Sequence, residues 1–151
     1  MIDLNFKIEV EKEIFYTPLM YAAALGRADC LRVLVRNPIL DLNAEDEKSG
    51  ANAFWTAAFY GRGECMGILS EAGIDILSTN KHTKTNALHL AIERKHYNIA
   101  KMLIESKFPL NDRKDGGLTA LILAARDKGA YQVAETLLKA GAQINAVSDV
   151  G

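Results

Sequence analysis

Long apolar runs, paired cysteines and an excess of charge of either sign are all missing from this chain. The longest apolar stretches, Leu19 to Leu25 and Ala120 to Ala125, fall far short of the ~20 residues a membrane helix needs. Two cysteines in 151 residues cannot make the disulfide network of a small secreted scaffold. The N-terminus carries Asp3, Glu9, Glu11 and Glu13 with no apolar signal region, which argues against a secretory leader. Eighteen basic residues stand against nineteen acidic ones, so the strong basic excess of a nucleic-acid-binding domain is absent. What is present is an ordinary globular composition, 49% hydrophobic and 25% charged, enough to bury a core unaided.

The near-zero total hides a gradient. Residues 1–75 hold 7 basic and 12 acidic side chains, and residues 76–151 hold 11 and 7, giving balances of −5 and +4. Along the turns the shift is sharper: Glu11, Glu13, Asp46 and Glu47 at one end, Lys81, Lys84, Arg113 and Lys114 at the other. Such a gradient orients a partner carrying the opposite one.

The chain repeats itself. Thr17-Pro18-Leu19-Met20-Tyr21-Ala22-Ala23 aligns with segments starting at Asn52, Asn86 and Thr119, at spacings of 35, 34 and 33 residues. Each is followed by a second apolar stretch beginning at Cys30, Cys65, Ile99 or Val133. Each unit closes on Asp41-Leu42-Asn43, Asp75-Ile76-Leu77, Pro109-Leu110-Asn111 or Gln143-Ile144-Asn145. Thr or Asn at the head of the first segment is a good N-cap, and Pro18 falls at the first helical position, where its missing N–H costs nothing. Small residues (Ala22, Ala23, Ala57, Ala58, Ala91, Ala124, Ala125) allow close helix packing. Gly26, Gly61 and Gly129 fall where the first helix must turn, and Gly73 and Gly141 where the second must, positions that favour left-handed backbone. Residues 4–10 alternate apolar and polar, as an edge strand would.

With two short antiparallel helices per unit and a period near 33, the chain resembles the ankyrin repeat family, whose signature runs Gly-x-Thr-Pro-Leu-His-x-Ala-Ala. Thr17-Pro18-Leu19, Asn86-Ala87-Leu88-His89-Leu90-Ala91 and Gly117-Leu118-Thr119-Ala120-Leu121 carry the likeness best. Met20, Trp55 and Ile122 replace the family His, and Phe15 and Lys84 stand where Gly is usual. The resemblance implies an all-α solenoid of helix–turn–helix pairs linked by β-turns or short hairpins. The expected domain is 1–151: a lead-in or tail of a preceding repeat (1–16), repeats at 17–45, 46–79, 80–113 and 114–146, and the start of a further one (147–151). Ile2-Asp3-Leu4-Asn5 reads as the close of an earlier unit, and neither end shows an obvious polar cap. The expectation is a window from a longer array.

No side-chain set points to catalysis, a cofactor or a metal. His89 holds the family His position, His96 sits at a helix–helix turn and His82 in a turn between units; none has further ligands at zinc spacing. Cys30 and Cys65 read as small buried apolar residues. Gly61-Arg62-Gly63 lacks the strand a phosphate loop requires, so the repeat explains it as a turn. A non-catalytic protein–protein interaction module is therefore expected, a scaffold or adaptor, with a protein partner and no nucleic acid or membrane.

By resemblance, the partner surface is the concave face made by the turns and the ends of the first helices. Those ends carry Leu25, then Phe59 and Tyr60, then Glu93 and Arg94, then Arg126 and Asp127. The turns add Glu47 and Lys48, then Lys81 and His82. Phe59, Tyr60 and Arg94 are the expected anchors, because aromatics and Arg dominate binding energy; Trp55 reads as core. The alternative reading is a regulatory or targeting segment of a larger multidomain enzyme or channel. The chain is expected to be an intracellular, cytoplasmic monomer, with the nucleus left open and end-to-end stacking as the route to assembly.

Overall fold

A computed structural model of the chain describes residues 8–9 and 15–149. The chain forms two compact units, Met1–Lys81 and His82–Gly151. In the first, a short antiparallel pair, β1 (Ile8–Glu9) and β2 (Phe15–Tyr16), leads into α1 (Pro18–Leu25), α2 (Ala28–Leu34), α3 (Ala53–Phe59) and α4 (Gly63–Glu71). The second holds α5 (Ala87–Glu93), α6 (Tyr97–Glu105), α7 (Ala120–Arg126) and α8 (Tyr131–Lys139). Of the alternating stretch 4–10, Ile8–Glu9 is the described strand; residues 1–7 and 10–14, including Glu11 and Glu13, lie outside the described residues, as do Val150 and Gly151.

Each first helix starts as its sequence dictates. Thr17, Asn52, Asn86 and Thr119 sit in extended backbone, and each side-chain oxygen accepts the N–H three residues on. A cap of this kind is worth ~1 kcal/mol. The alanines then let helices approach closely: α1 packs on α3 and α5 on α7, with Ala23, Ala57, Ala58 and Ala91 fully buried. Ala125 is the exception and faces outward. The second helices pack in the same way, α2 on α4 and α6 on α8, burying Leu31, Leu69, Val133 and Leu137 completely. A leucine or valine sealed off like this contributes ~1.5–3 kcal/mol.

The turn after the first helix recurs with the same bonds. At Gly26 (φ 70°) the backbone N–H donates to Ala23 and that of Arg27 to Ala22; at Gly61 (φ 72°) the acceptors are Ala58 and Ala57. The third repeat builds it on Lys95 (φ 62°), which donates to Ile92, while His96 donates to Ala91. Lys107 (φ 62°) and Lys84 (φ 55°) likewise hold left-handed places where the other units put Gly73 and Gly141, or Gly50 and Gly117. Gly129 departs from expectation and is not left-handed: Asp127 ends α7 in extended backbone, because Lys128 adds a residue to this turn.

Consecutive repeats are also stitched at their loops. Asn43 Oδ1 accepts the Asp75 N–H (2.7 Å) in the first unit, and Asn111 Oδ1 accepts the Gln143 N–H (2.9 Å) in the second. The turn tips add a backbone ladder: Lys81 N–H to Ser49 O, Asp115 N–H to Thr83 O and Asp149 N–H to Gly116 O.

Candidate functional site

In the first unit the first helix of each repeat, Pro18–Leu25 and Ala53–Phe59, carries no charged residue at all. Their outer ends gather an apolar, aromatic strip. Trp55 stacks on Phe59 (ring centroids 5.5 Å, planes 20° apart), and Phe59 meets Tyr60 edge-on at 5.0 Å. Tyr60 caps the helix and remains exposed, as does Leu25, while Trp55 and Phe59 are half-buried. Trp55 is thus shared between core and surface. Nearby at the turn, Glu47 and Lys48 are exposed, and Lys81 Nζ donates to the Glu47 carbonyl.

Asp46 is a different matter. Counted in sequence with the acidic turn, it is 1% exposed. Its Oδ2 accepts the Ser49 N–H (2.7 Å) and its Oδ1 the Phe15 N–H (3.3 Å), so the carboxylate holds the turn together.

In the second unit the same helix-end positions are charged. Glu93, Arg126 and Asp127, with Ile92 and Leu123 beneath, line an open depression of ≈ 360 Å³. Arg94 is exposed at the end of α5 and outside that lining. Glu93 is ion-paired to Lys114, which is largely covered. Asp127 Oδ2 accepts the Tyr97 hydroxyl (2.6 Å) and Oδ1 the Gly129 N–H (3.0 Å), and these bonds hold its carboxyl below the usual range. The same contact raises the Tyr97 phenol. His82 is exposed at its turn. Arg113 bonds Asp149 (3.0 Å) and the Val147 carbonyl, so with Lys81 on the Glu47 carbonyl and Lys114 on Glu93, three of the four cations of the basic end have partners.

The histidine and cysteine positions resolve into structure. His89 is 1% exposed; its Nδ1 accepts the Asn86 N–H (3.3 Å), which leaves Nε2 to carry the proton and donate to the Asp112 carbonyl (3.0 Å). Burial pushes this imidazole below its ordinary pKa, so the neutral ring closes a capping box. Cys65 is buried and its thiol pushed up by desolvation, whereas Cys30 is exposed, contrary to the pairing of the two as core. Arg62 of the Gly61-Arg62-Gly63 turn donates through Nε to the Ala24 carbonyl (3.0 Å) and lies over Gly26. Sequence reasoning missed Arg62, Tyr97, Asn43 and Asn111 as ties between repeats. The 32-residue spacing of Asn43 from Asp75 and of Asn111 from Gln143 was the signal that could have found two of them.

Among the described residues no group of His, Cys, Asp or Glu could hold a metal ion, and no helix is long and apolar enough to cross a membrane. Paired helices, capped alike and repeating at 33–35 residues, define a repeat protein whose units share one backbone and differ in their surface side chains. The chain belongs to the ankyrin repeat family: a model of three ankyrin repeats matches residues 3–80 and again 77–148. It is 33% identical over 111 residues to human neurogenic locus notch homolog protein 2, and 32% over 111 residues to human neurogenic locus notch homolog protein 1, in each case over 73% of this chain. It is 28% identical over 89 residues, 59% of the chain, to the Arabidopsis thaliana E3 ubiquitin-protein ligase KEG. The chain spans only 4–5% of the length of these relatives. Ankyrin repeats are in general protein–protein interaction modules without catalytic activity.

Proposed function

We propose that this chain is a non-catalytic scaffold or adaptor that grips a protein partner with the ends of its first helices and the turn tips of its repeats. One internal contrast carries the reading. Positions the fold constrains are chemically repeated: Thr or Asn caps, alanines at the helix contact and, in three repeats, a left-handed turn after the first helix. The helix-end positions are not repeated: Leu25, Phe59 with Tyr60, Glu93 with Arg94, Arg126 with Asp127. A surface kept only for solubility has no use for three contiguous half-exposed aromatics, whereas binding surfaces are enriched in them. On this reading Phe59, Tyr60 and Leu25 supply apolar anchors. Arg94, Glu93 and Arg126, with Glu47, Lys48, Lys81 and His82 at the turns, supply register. Two free cysteines, one of them exposed, suit a reducing compartment, so a cytoplasmic or nuclear monomer is part of the proposal.

A second reading, that the chain serves as the regulatory or targeting segment of a larger enzyme or channel, is favoured by its small share of its relatives' length and by the ligase named among them. Quantitative capture from lysate with paired baits tests the first. One bait is native and the other carries Phe59→Ala with Tyr60→Ala, both shown to melt alike. A partner that is retained by the native bait and lost by the variant supports the aromatic strip. A partner held equally by both removes it.

A further inference from the structure

We propose that the open depression at the ends of α5 and α7 is a receptor for one carboxylate of the protein partner, an aspartate or glutamate side chain gripped by Arg126. The inference rests on the reading that a partner docks on these helix ends, and it adds the chemistry of the segment that fits the second unit. Two carboxylates, Glu93 and Asp127, line the depression beside Arg126. Both are engaged by their own chain. Glu93 pairs with Lys114, whose side chain is only 15% exposed. Asp127 accepts the Tyr97 hydroxyl at one oxygen (2.6 Å) and the Gly129 N–H at the other (3.0 Å), and the charge of Lys95 acts on it as well. These bonds hold the two carboxylates where they are and keep them off the guanidinium. Arg126 is exposed and makes no hydrogen bond or ion pair among the described residues.

The charges then select the ligand. Glu93 and Asp127 stand against Lys95, Lys114 and Arg126, a surplus of one positive charge, and of these five side chains Arg126 is the one with uncommitted donors. A guanidinium presents a planar fork that matches a carboxylate through two parallel N–H···O bonds. A phosphate group carries nearly two charges, and the further cations it would need are already held by Glu93 and Asp127. A lysine or arginine of the partner would meet net positive charge. Ile92 and Leu123 form the floor at 1% and 8% exposure, so the pair forms over apolar side chains, where its attraction is stronger than in open water. The corresponding helix ends of the first unit, Leu25 and Phe59, carry no charge and offer no such receptor.

Peptide selection tests this before any partner is known. A random-peptide phage library is panned on the 151-residue chain, and the strongest binder is synthesised with each acidic residue replaced in turn by its amide. One replacement is expected to weaken binding to the native chain by at least about tenfold, the scale of a charge-assisted bond, and to leave binding to Arg126→Gln unchanged. Panning on Arg126→Glu is expected to select lysine or arginine in place of the acid. Both variants should melt as the native chain does, because the fold places no contact on this side chain. A binder without an acidic residue, an acid that matters equally to the native chain and to Arg126→Gln, or a library that enriches nothing overturns the proposal. Phe59→Ala with Tyr60→Ala separates it from the reading beneath it. A binder lost on that variant yet indifferent to Arg126 removes the acid receptor and keeps the docking surface, whereas one indifferent to both sets of changes removes both.

Discussion

Acidification should destabilise this protein through His89. The ring is sealed at 1% exposure, accepts the Asn86 N–H at Nδ1 and donates to the Asp112 carbonyl from Nε2. A second proton has to sit on Nδ1, facing an amide donor, in a site that already disfavours charge through burial. The folded pKa is thus below the unfolded one, ordinarily ~6.5. Stability from the neutral ring is complete above that value and is lost as pH falls toward the folded pKa, because the unfolded chain takes up a proton the folded chain refuses. While the folded ring stays neutral, this loss approaches ~1.4 kcal/mol by pH 5.5 relative to pH 7.5. The assay is urea unfolding at half-unit steps over that range, for the native chain and His89→Gln. Glutamine at this position can still accept the Asn86 N–H, and it does not titrate. The variant should show a slope shallower by most of that amount. Parallel curves for the two proteins, or a native chain that gains stability on acidification, would refute the reasoning.

Further expectations follow from single contacts. Asp46→Ala leaves two amide donors without their carboxylate and should cost ~2–3 kcal/mol, while Glu47→Ala next to it should stay within ~0.5 kcal/mol; paired denaturant melts separate them. Lys95→Gly and Lys107→Gly should each stabilise by ~0.5–1 kcal/mol, since relief of the left-handed backbone exceeds the added chain entropy of glycine; lower melting temperatures would contradict this. Asn43→Ala should remove the bond to Asp75 and cost ~1 kcal/mol, with faster hydrogen exchange at the Asp75 amide as the local sign.

The parts of the fold legible in the sequence are those decided within a few residues. Thr17, Asn52, Asn86 and Thr119 announce helix starts because a cap is a bond between a side chain and an amide three positions away. The period exposed the pairing of helices, since one backbone repeats with one alanine contact. Legibility failed where identical residues meet unlike neighbours. Cys30 and Cys65 share a register position, yet one is covered by α2 packing against α4 and the other lies on an open flank. Asp46 looks like its neighbour Glu47, and only the path of the turn shows that its carboxylate points inward. Gly129 looked like a turn glycine, but the inserted Lys128 lets Asp127 leave the helix without left-handed backbone. For the candidate surface, position in the repeat pointed to the helix ends. The stacking of Trp55, Phe59 and Tyr60, the tie from Asp127 to Tyr97 and the pairing of Glu93 with Lys114 depend on side-chain geometry that spacing does not encode.

Recognition through the ends of the first helices can be checked by site-specific photo-crosslinking. A photoreactive amino acid is placed singly at Tyr60, at Arg126 and, on the second helix α4, at exposed Glu71. One and the same protein is expected to cross-link from Tyr60 and from Arg126 and not from Glu71. Cross-links confined to Glu71, with Tyr60 and Arg126 silent, would contradict it.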